Sequence, residues 1–370
     1  MTGPGVPRSR PPALAQLPLS ASQLAGWDAI LDARSPSEFA EDHLPGAINC
    51  PVLDDAERAL VGTTYRQQSS FEAKRIGAPL VARNIARIIQ EKFADRPRDW
   101  RPLVYCWRGG TRSGALTHVL RQVGWDALQL DGGYKAFRKQ VVADLEQLPL
   151  RHRFLVVCGA TGSGKSRLLE ALARTPAQVL DLEALAFHRG SVLGDLPDEP
   201  QPGQKAFETA LWSALSAFDP AQPVFVEAES RKVGVLRVPE ALLGRMREGD
   251  CLRLEASPQA RIELLLEDYA HLVARPALLV SKLECLAPLH GRERIEGWKA
   301  FVAAGEWRAL VADLLESHYD PAYGRSTARN YPGLAAARPI GIASASHEGF
   351  EALARALAAG AGEASAPRIG

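Results

Sequence analysis

Residues 153–175 read RFLVVCGATGSGKSRLLEALART, and this stretch decides the fold. An apolar run of strand length meets a glycine-rich turn, then a segment in which Leu168, Leu169 and Leu172 recur at helical spacing. The turn, GATGSGKS at 159–166, matches G-x-x-x-x-G-K-S in the strand–loop–helix setting the pattern requires. Gly159, Gly162 and Gly164 let backbone N–H groups turn toward phosphate oxygens. Lys165 is placed to neutralise an outer phosphate and Ser166 to hold Mg²⁺. The motif asks for a diphosphate-bearing ligand and does not specify ATP.

Outward from this loop, QVLDLEAL (178–185), PVFVEAES (223–230) and CLRLEA (251–256) read as further parallel strands. The chain to about 350 is mostly helical in pattern, with turns expected at 288–291 and 320–321. An acid at a neighbouring strand end commonly supports a P-loop metal. The candidates are Asp181, Glu227 and Glu229, with Glu183 beside the first. The third strand ends in Glu rather than Asp, which argues against routine ATP hydrolysis. His188 and Arg189 in HRGSVLG, and Arg231 after VEAES, are candidates for anion or nucleotide contacts; the bland alternative is an ordinary polar loop.

Upstream, residues 28–134 alternate short apolar runs with helical stretches, the pattern of a helix-covered parallel sheet. PLVARNIARIIQEKF places Val81, Ile85, Ile88, Ile89 and Phe93 on one helical face. PLVYC (102–106) is a strand that leads into YCWRGGTRSGALTHVLRQVG (105–124). Cys106 stands at the strand end, with Arg108 and Arg112 following and a helix starting near Arg112. Nearby arginines and helix N-terminal N–H groups are the devices that favour a thiolate. Gly109 and Gly110 allow the loop to fold as an anion nest. Five residues separate Cys106 from Arg112.

ILDARSPSEFAEDHLPGAINCP (30–51), with Asp32, Arg34, Glu38 and the run from His43 to Asn49, resembles the opening signature of the rhodanese family. The resemblance covers about 15–140 and implies that Cys106 carries a transferable chalcogen atom. The common sulfurtransferase loop is one residue shorter. The five-residue spacing resembles the cradle of rhodanese-fold phosphatases and suits a tetrahedral, phosphate-sized anion.

YCWRGGTRS, LDGGYKAFR, GATGSGKS, DLEALAFHRGSVLG and VEAESRKVG together closely resemble the bacterial tRNA 2-selenouridine synthase family, over about 15–340. One departure is Ala228, where the family pattern carries an acid. The resemblance implies an α/β chain: a rhodanese-like parallel-sheet domain at 15–140, then a P-loop NTPase-like domain at 150–350 with a helical C-terminal part. It implies a selenotransferase with geranyltransferase activity. Wobble-position 2-thiouridine in tRNA would be S-geranylated from geranyl diphosphate, and selenium from selenophosphate would then replace the S-geranyl group. Cys106 would be selenium acceptor or nucleophile, Arg108 and Arg112 anion clamps, and the P-loop the diphosphate site. No tightly bound cofactor is expected; Mg²⁺ is a candidate at Ser166, and a transient contact with a selenophosphate-producing enzyme is expected. The alternative reading is a rhodanese-type sulfurtransferase or phosphatase fused to an ATP-dependent domain.

The composition agrees with this class. The 370 residues suit two domains, 46% are apolar, and the net charge is +1. Five cysteines without a CxxC pair argue against zinc and a disulfide framework, and for a reduced, cytoplasmic chain. No apolar run is long enough for a membrane span. Residues 66–101 carry nine Lys/Arg against four Asp/Glu. Arg83 and Arg87, off the apolar stripe of their helix, are candidates for tRNA phosphate contacts, as are Lys135, Arg138 and Lys139. Trp107 is a candidate for stacking on a base. Residues 1–14 and 360–370 read as loose termini.

Overall fold

Pro102–Tyr105 is buried at every position, as a strand covered on both faces must be. In the computed structural model, which describes residues 14–364 other than 17, 197, 338, 343 and 344, it is the middle strand of a parallel sheet. That sheet holds β1 (Leu14–Ala15), β2 (Ala29–Asp32), β3 (Ala47–Asn49), β4 (Pro102–Tyr105) and β5 (Leu128–Leu130). Their order is β1-β5-β4-β2-β3, with Leu31 opposite Val104 and Leu103 opposite Leu128. Parallel neighbours need crossovers, and Ser70–Ile88 and Thr111–Val123 are two of the helices that supply them.

The apolar stripe of the first of these helices faces the core. Ile85, Ile88 and Phe93 are buried, and Val81 and Ile89 pack half-buried beside them. The second helix stops at Gly124, whose φ of 112° suits a residue without Cβ. Phe93, Trp100 and Trp125 pack in series in the same core, the first pair tilted and the second edge to face.

Two compact units divide the backbone. The first runs to Asp144 and includes Glu208–Ala217; the second comprises Leu145–Phe207 and the chain from Phe218. The second unit has its own parallel sheet, from β6 (Phe154–Cys158), β7 (Gln178–Leu180), β8 (Val224–Glu227), β11 (Asp250–Glu255) and β12 (Pro339–Gly341). A hairpin of β9 (Lys232–Val233) and β10 (Leu236–Arg237) lies outside that sheet. The sheet order is β12-β11-β6-β8-β7. Val157, Leu168, Leu172, Phe225 and Phe350 form its core. A separate helical core gathers around Trp298, Leu283 and Leu310.

Several expected boundaries differ. QVLDLEAL does not continue as a strand: β7 ends at Leu180, and Asp181 caps the helix Leu182–Ala186 by accepting from the Ala184 N–H at 2.8 Å. A capping carboxylate satisfies an otherwise orphan helix N–H, and here that outweighs strand continuation. Residues 320–321 make no turn: the π-helical turn Leu315–Tyr319 runs directly into the helix Asp320–Asn330, so Pro321 lies within a continuous helical run. At 288–291 the helix Ala287–Ala304 is broken only at Gly291. Leu14 belongs to β1 and pairs with Gln129, and residues 360–364 continue the helix His347–Ala364. The rest of the expected loose termini, 1–13 and 365–370, lies outside the described residues. Among the described residues no helix is long and apolar enough to cross a membrane.

Candidate functional site

The first site is the loop after β4. Cys106 is buried, and the Ser113 hydroxyl, in the first turn of the following helix, donates to its sulfur at 3.1 Å. Trp107, Arg108, Gly110, Thr111 and Arg112 line an open pocket with Cys106. The first turn of the helix Gly133–Leu145 braces the loop from behind. The Tyr134 and Lys135 N–H groups donate to the Cys106 and Trp107 carbonyls, each at 2.9 Å. The Gln129 amide donates to the Gly109 carbonyl at 2.5 Å and to Ser113 Oγ at 2.9 Å. The turn fits so closely that a Cβ on Gly133, at φ 56°, would lie 2.3 Å from the Cys106 carbonyl oxygen.

The rhodanese-like signature supports this loop. Arg34 and Asp32 form a fully buried ion pair at 2.6 Å, and Arg34 also donates to the Asp42 carbonyl at 2.7 Å. Burial works against the Arg34 charge, but the Asp32 carboxylate more than offsets it. Ser35 and Glu38 form a capping box for Pro36–Glu41, which fixes where the Glu38 carboxylate lies. Glu38 takes Arg112 at 2.6 Å and Arg58 at 2.8 Å. Burial alone would raise the Glu38 pKa, yet Arg112, the Ser35 N–H and Arg58 hold it below the ordinary value. Arg108 is exposed, so of the two expected clamps one is anchored and one projects into solvent. Trp107 packs on Tyr134, with ring centroids 5.5 Å apart.

The second site is the cleft at the P-loop. Gly164, at φ 81°, starts the helix Lys165–Ala173, and a Cβ there would collide with the Phe350 ring at 2.3 Å. Lys165 donates to the Gly159 carbonyl at 2.7 Å, and the Tyr323 hydroxyl accepts from the Gly159 N–H at 2.6 Å. Ser166 donates to Glu183 at 3.0 Å, and the Glu183 N–H donates to Glu227 at 2.8 Å. The Glu183 and Glu229 carboxyls lie close enough for each to act on the other's ionisation. Burial, then the Glu183 carboxylate, push Glu229 up to about 8; burial and the neighbouring acids raise Glu227 well above its ordinary value, and burial raises Glu183 against the pull of Lys165 and Ser166. Burial lowers the Lys165 pKa, against the attraction of those acids. One Glu227 oxygen is buried without a hydrogen-bond partner.

The expected residues do not all converge. Gly162, Gly164, Lys165, Ser166, Arg189 and Glu229 line this cleft, together with Glu183. Glu227 is buried behind it, and Asp181 is committed to its helix cap. His188 is buried; its Nδ1 accepts from the Gly190 N–H at 3.1 Å and its Nε2 faces Asp195 at 3.7 Å. Burial lowers its pKa. Arg231 pairs with Glu240 on the surface. In the first unit Arg83 pairs with Glu57 at 2.6 Å and Arg138 with Glu208, while Arg87, Lys135 and Lys139 are exposed. Ser113 and Tyr323 were not singled out by sequence. Ser113 directly follows Arg112, so the loop spacing could have flagged it; Tyr323, far along the chain, carried no local signal.

Among the described residues no cluster of three or more His, Cys, Asp or Glu is arranged to hold a metal. The Ser166 hydroxyl and the Glu183 carboxylate, already in contact, are nevertheless oxygen donors of the kind Mg²⁺ accepts beside substrate phosphates.

Two family models match the chain: one described as tRNA 2-selenouridine synthase AAA domain over residues 152–284, and one described as rhodanese-like domain over 17–140. The chain is 37% identical to the tRNA 2-selenouridine synthase of Nitrosomonas europaea, over 65% of this chain and 63% of that protein. It is 35% identical to that of Cupriavidus pinatubonensis, over 80% of this chain and 87% of that protein. With that of Cupriavidus necator it shares 39% identity, over 65% of each. The chain thus spans a little under two thirds of the Nitrosomonas europaea relative and most of the Cupriavidus pinatubonensis one.

Proposed function

This chain belongs to the tRNA 2-selenouridine synthase family, and from that premise we propose that it converts wobble 2-thiouridine of tRNA to 2-selenouridine in two steps. The observation that carries the reading is that one chain holds two pockets of the kind anions favour, one lined by Cys106, Arg108 and Arg112 and one by Gly162, Gly164, Lys165 and Ser166.

In the first step the 2-thiouridine sulfur attacks C1 of geranyl diphosphate. The C–O bond breaks and diphosphate leaves. Gly162, Gly164 and Lys165 hold the leaving group by backbone N–H groups and one ammonium. Lys165 can exchange its bond to the Gly159 carbonyl for a phosphate oxygen. Ser166 and Glu183 would hold Mg²⁺, which when bound neutralises charge on the diphosphate.

In the second step the selenium of selenophosphate attacks C2 of the modified uridine, and the geranyl thiolate leaves. The remaining Se–P bond must then be cleaved. Cys106 is the nucleophile we assign to this cleavage: its sulfur takes the phosphoryl group, 2-selenouridine is released, and water returns the cysteine and phosphate. The Ser113 hydroxyl steadies the sulfur, and Arg112, fixed by Glu38, meets the phosphate oxygens. A selenophosphate-producing enzyme supplies the donor through transient contact, and exposed Arg87, Lys135 and Lys139 favour tRNA phosphates.

The test is mass spectrometry of tRNA from a strain lacking this gene. The expected result is loss of 2-selenouridine, restored by the intact chain; unchanged 2-selenouridine overturns the proposal. The cradle also fits a phosphatase fused to an ATP-dependent domain. Brisk turnover of ATP or a phosphomonoester by protein that ignores tRNA would favour that reading.

A further inference from the structure

Alkylation of 2-thiouridine at sulfur releases a proton. The neutral base carries a hydrogen on N3, beside the C2=S group. Once the sulfur is bonded to carbon, N3 is doubly bonded to C2 and that hydrogen has left. A general base within hydrogen-bond reach of N3 accelerates such a step by about 10²–10⁴.

Among the described residues lining the P-loop cleft, His318 carries the sole imidazole. It sits half-buried on the π-helical turn Leu315–Tyr319, a local geometry frequent at functional sites. Its Nδ1 lies 2.9 Å from Nε2 of His290, on the helix Ala287–Ala304. A neutral imidazole has one N–H, so one ring of this pair donates and the other accepts. With His318 donating from Nδ1, its Nε2 keeps a lone pair. His290 then stands where a carboxylate stands behind a catalytic histidine. The His290 ring packs edge-on against Trp298, which donates to Asp313.

The turn that bears His318 is tied to the phosphate loop. Arg261 donates to the Thr161 carbonyl at 2.8 Å and to the Asp320 carboxylate at 3.0 Å, and the Tyr323 hydroxyl accepts from the Gly159 N–H at 2.6 Å. Asp320 and Tyr323 both lie in the helix that continues this turn. The charged groups lining the same cleft are Lys165, Arg167, Glu183, Arg189, Glu229 and Asp268. Its acids are engaged elsewhere: Ser166 donates to Glu183, Glu229 lies beside Glu183, and Arg167 pairs with Asp268 at 2.7 Å. Burial, then His290, hold His318 below the ordinary histidine value, so at neutral pH it is uncharged and able to take a proton.

We propose that His318 is the catalytic base of S-alkylation and that His290 is the positioning residue behind it. The inference rests on the reading that this cleft alkylates 2-thiouridine. The C=S π pair forms the bond from sulfur to C1 of geranyl diphosphate, and the C1–O pair leaves with the diphosphate. The N3–H pair becomes the N3=C2 double bond, and the proton moves to His318 Nε2. The imidazolium keeps its Nδ1–H on His290 and gives the new proton to water after product release.

Single-turnover S-geranylation of 2-thiouridine tRNA by the full chain, followed across pH, tests this. His318→Asn keeps a donor toward His290 and cannot take the proton. It is expected to slow geranylation at pH 7 by about a hundredfold, with inorganic pyrophosphate binding within threefold of the parent. In alkaline buffer, where N3 ionises unaided, the deficit should shrink to less than tenfold. His290→Phe removes the acceptor and leaves His318 in place; it should slow the neutral reaction by about tenfold, while His290→Gln, which keeps an oxygen near the place of Nε2, stays within threefold. A parental rate in His318→Asn, a deficit of equal size at neutral and alkaline pH, or a deficit matched by lost pyrophosphate affinity overturns the base assignment alone. A parental rate in His290→Phe overturns the positioning role. A parent chain that does not geranylate 2-thiouridine tRNA at any pH overturns the underlying reading and the inference with it.

Discussion

Arg112 reaches the Glu38 carboxylate with both terminal nitrogens, Nη1 at 2.6 Å and Nη2 at 3.3 Å. The arginine that closes the cysteine loop is therefore held from outside the loop, by a residue whose position the Ser35 cap sets. Loss of such a charged, largely buried pair costs about 1–3 kcal/mol. Glu38→Gln should lower stability by that order at pH 7. The Glu38 carboxyl titrates below its ordinary value, so its contribution is complete above the ordinary range and disappears as pH falls through the depressed value. Urea unfolding at pH 7 and pH 3 checks this: the gap between variant and parent should close in acid. A gap of equal size at both pH values contradicts it.

Gly133 tests the bracing of the cradle. A methyl group there would meet the Cys106 carbonyl oxygen at 2.3 Å and the Gly109 nitrogen at 2.5 Å, both backbone atoms that cannot swing aside. Gly133→Ala should shift the loop, cost about 1–3 kcal/mol, and lower selenium transfer by more than tenfold. Geranylation should remain, because the proposed function assigns that chemistry to the P-loop of the other unit. A variant with parental selenium transfer would show that the loop tolerates displacement.

The strand–loop–helix around GATGSGKS and the apolar stripe of Ser70–Ile88 were legible because each rests on local periodicity. Asp181 was misplaced for the same reason: VLDLEAL keeps an apolar pattern past the point where the Asp carboxylate can start a helix. The two-residue β1 is too short for any period to show. At the sites, the loops were readable and their partners were not. Glu38 was seen in its motif, but its bond to Arg112 joins residues 74 apart. Tyr323 reaches Gly159 across 164 residues.

Cys106→Ala separates the two steps. The Ser113 hydroxyl bonds to the Cys106 sulfur, and the residues lining the pocket there include no lysine or acid that could replace the proposed nucleophile. Selenation of tRNA should fall by at least a hundredfold, on the scale of a lost covalent nucleophile. S-geranylated 2-thiouridine should persist or accumulate. Nucleoside mass spectrometry reads both products, and loss of both would contradict the assignment of the steps to separate sites.

Lys165→Ala is the converse. It removes the one ammonium of the phosphate loop and leaves Glu183, Glu227 and Glu229 without their nearby cation. Geranylation from geranyl diphosphate should fall at least tenfold. Transfer of selenium to tRNA already carrying the S-geranyl group should stay within threefold of the parent. An unaltered geranylation rate would remove the phosphate loop from that step.

Glu229 gives the stability of the second unit a pH dependence of the opposite sign to that of Glu38. Its carboxyl is crowded by protein and faces Glu183, and it titrates at about 8. An unfolded chain ionises the same group near 4.3. Between those values the folded state binds the extra proton, so stability falls as pH rises and levels off above about 8. Glu183 and Glu227 are raised as well and add to the same trend. Glu229→Gln keeps a neutral hydrogen-bond donor toward Glu183 and carries no charge at any pH. In metal-free buffer its thermal midpoint should match the parent near pH 4 and exceed it by several degrees at pH 8.5, with a shallower slope between that does not reach zero. A variant less stable than the parent at pH 8.5 would mean that Glu229 is ionised in the folded protein and paired with Lys165, reversing the proton assignment at this site.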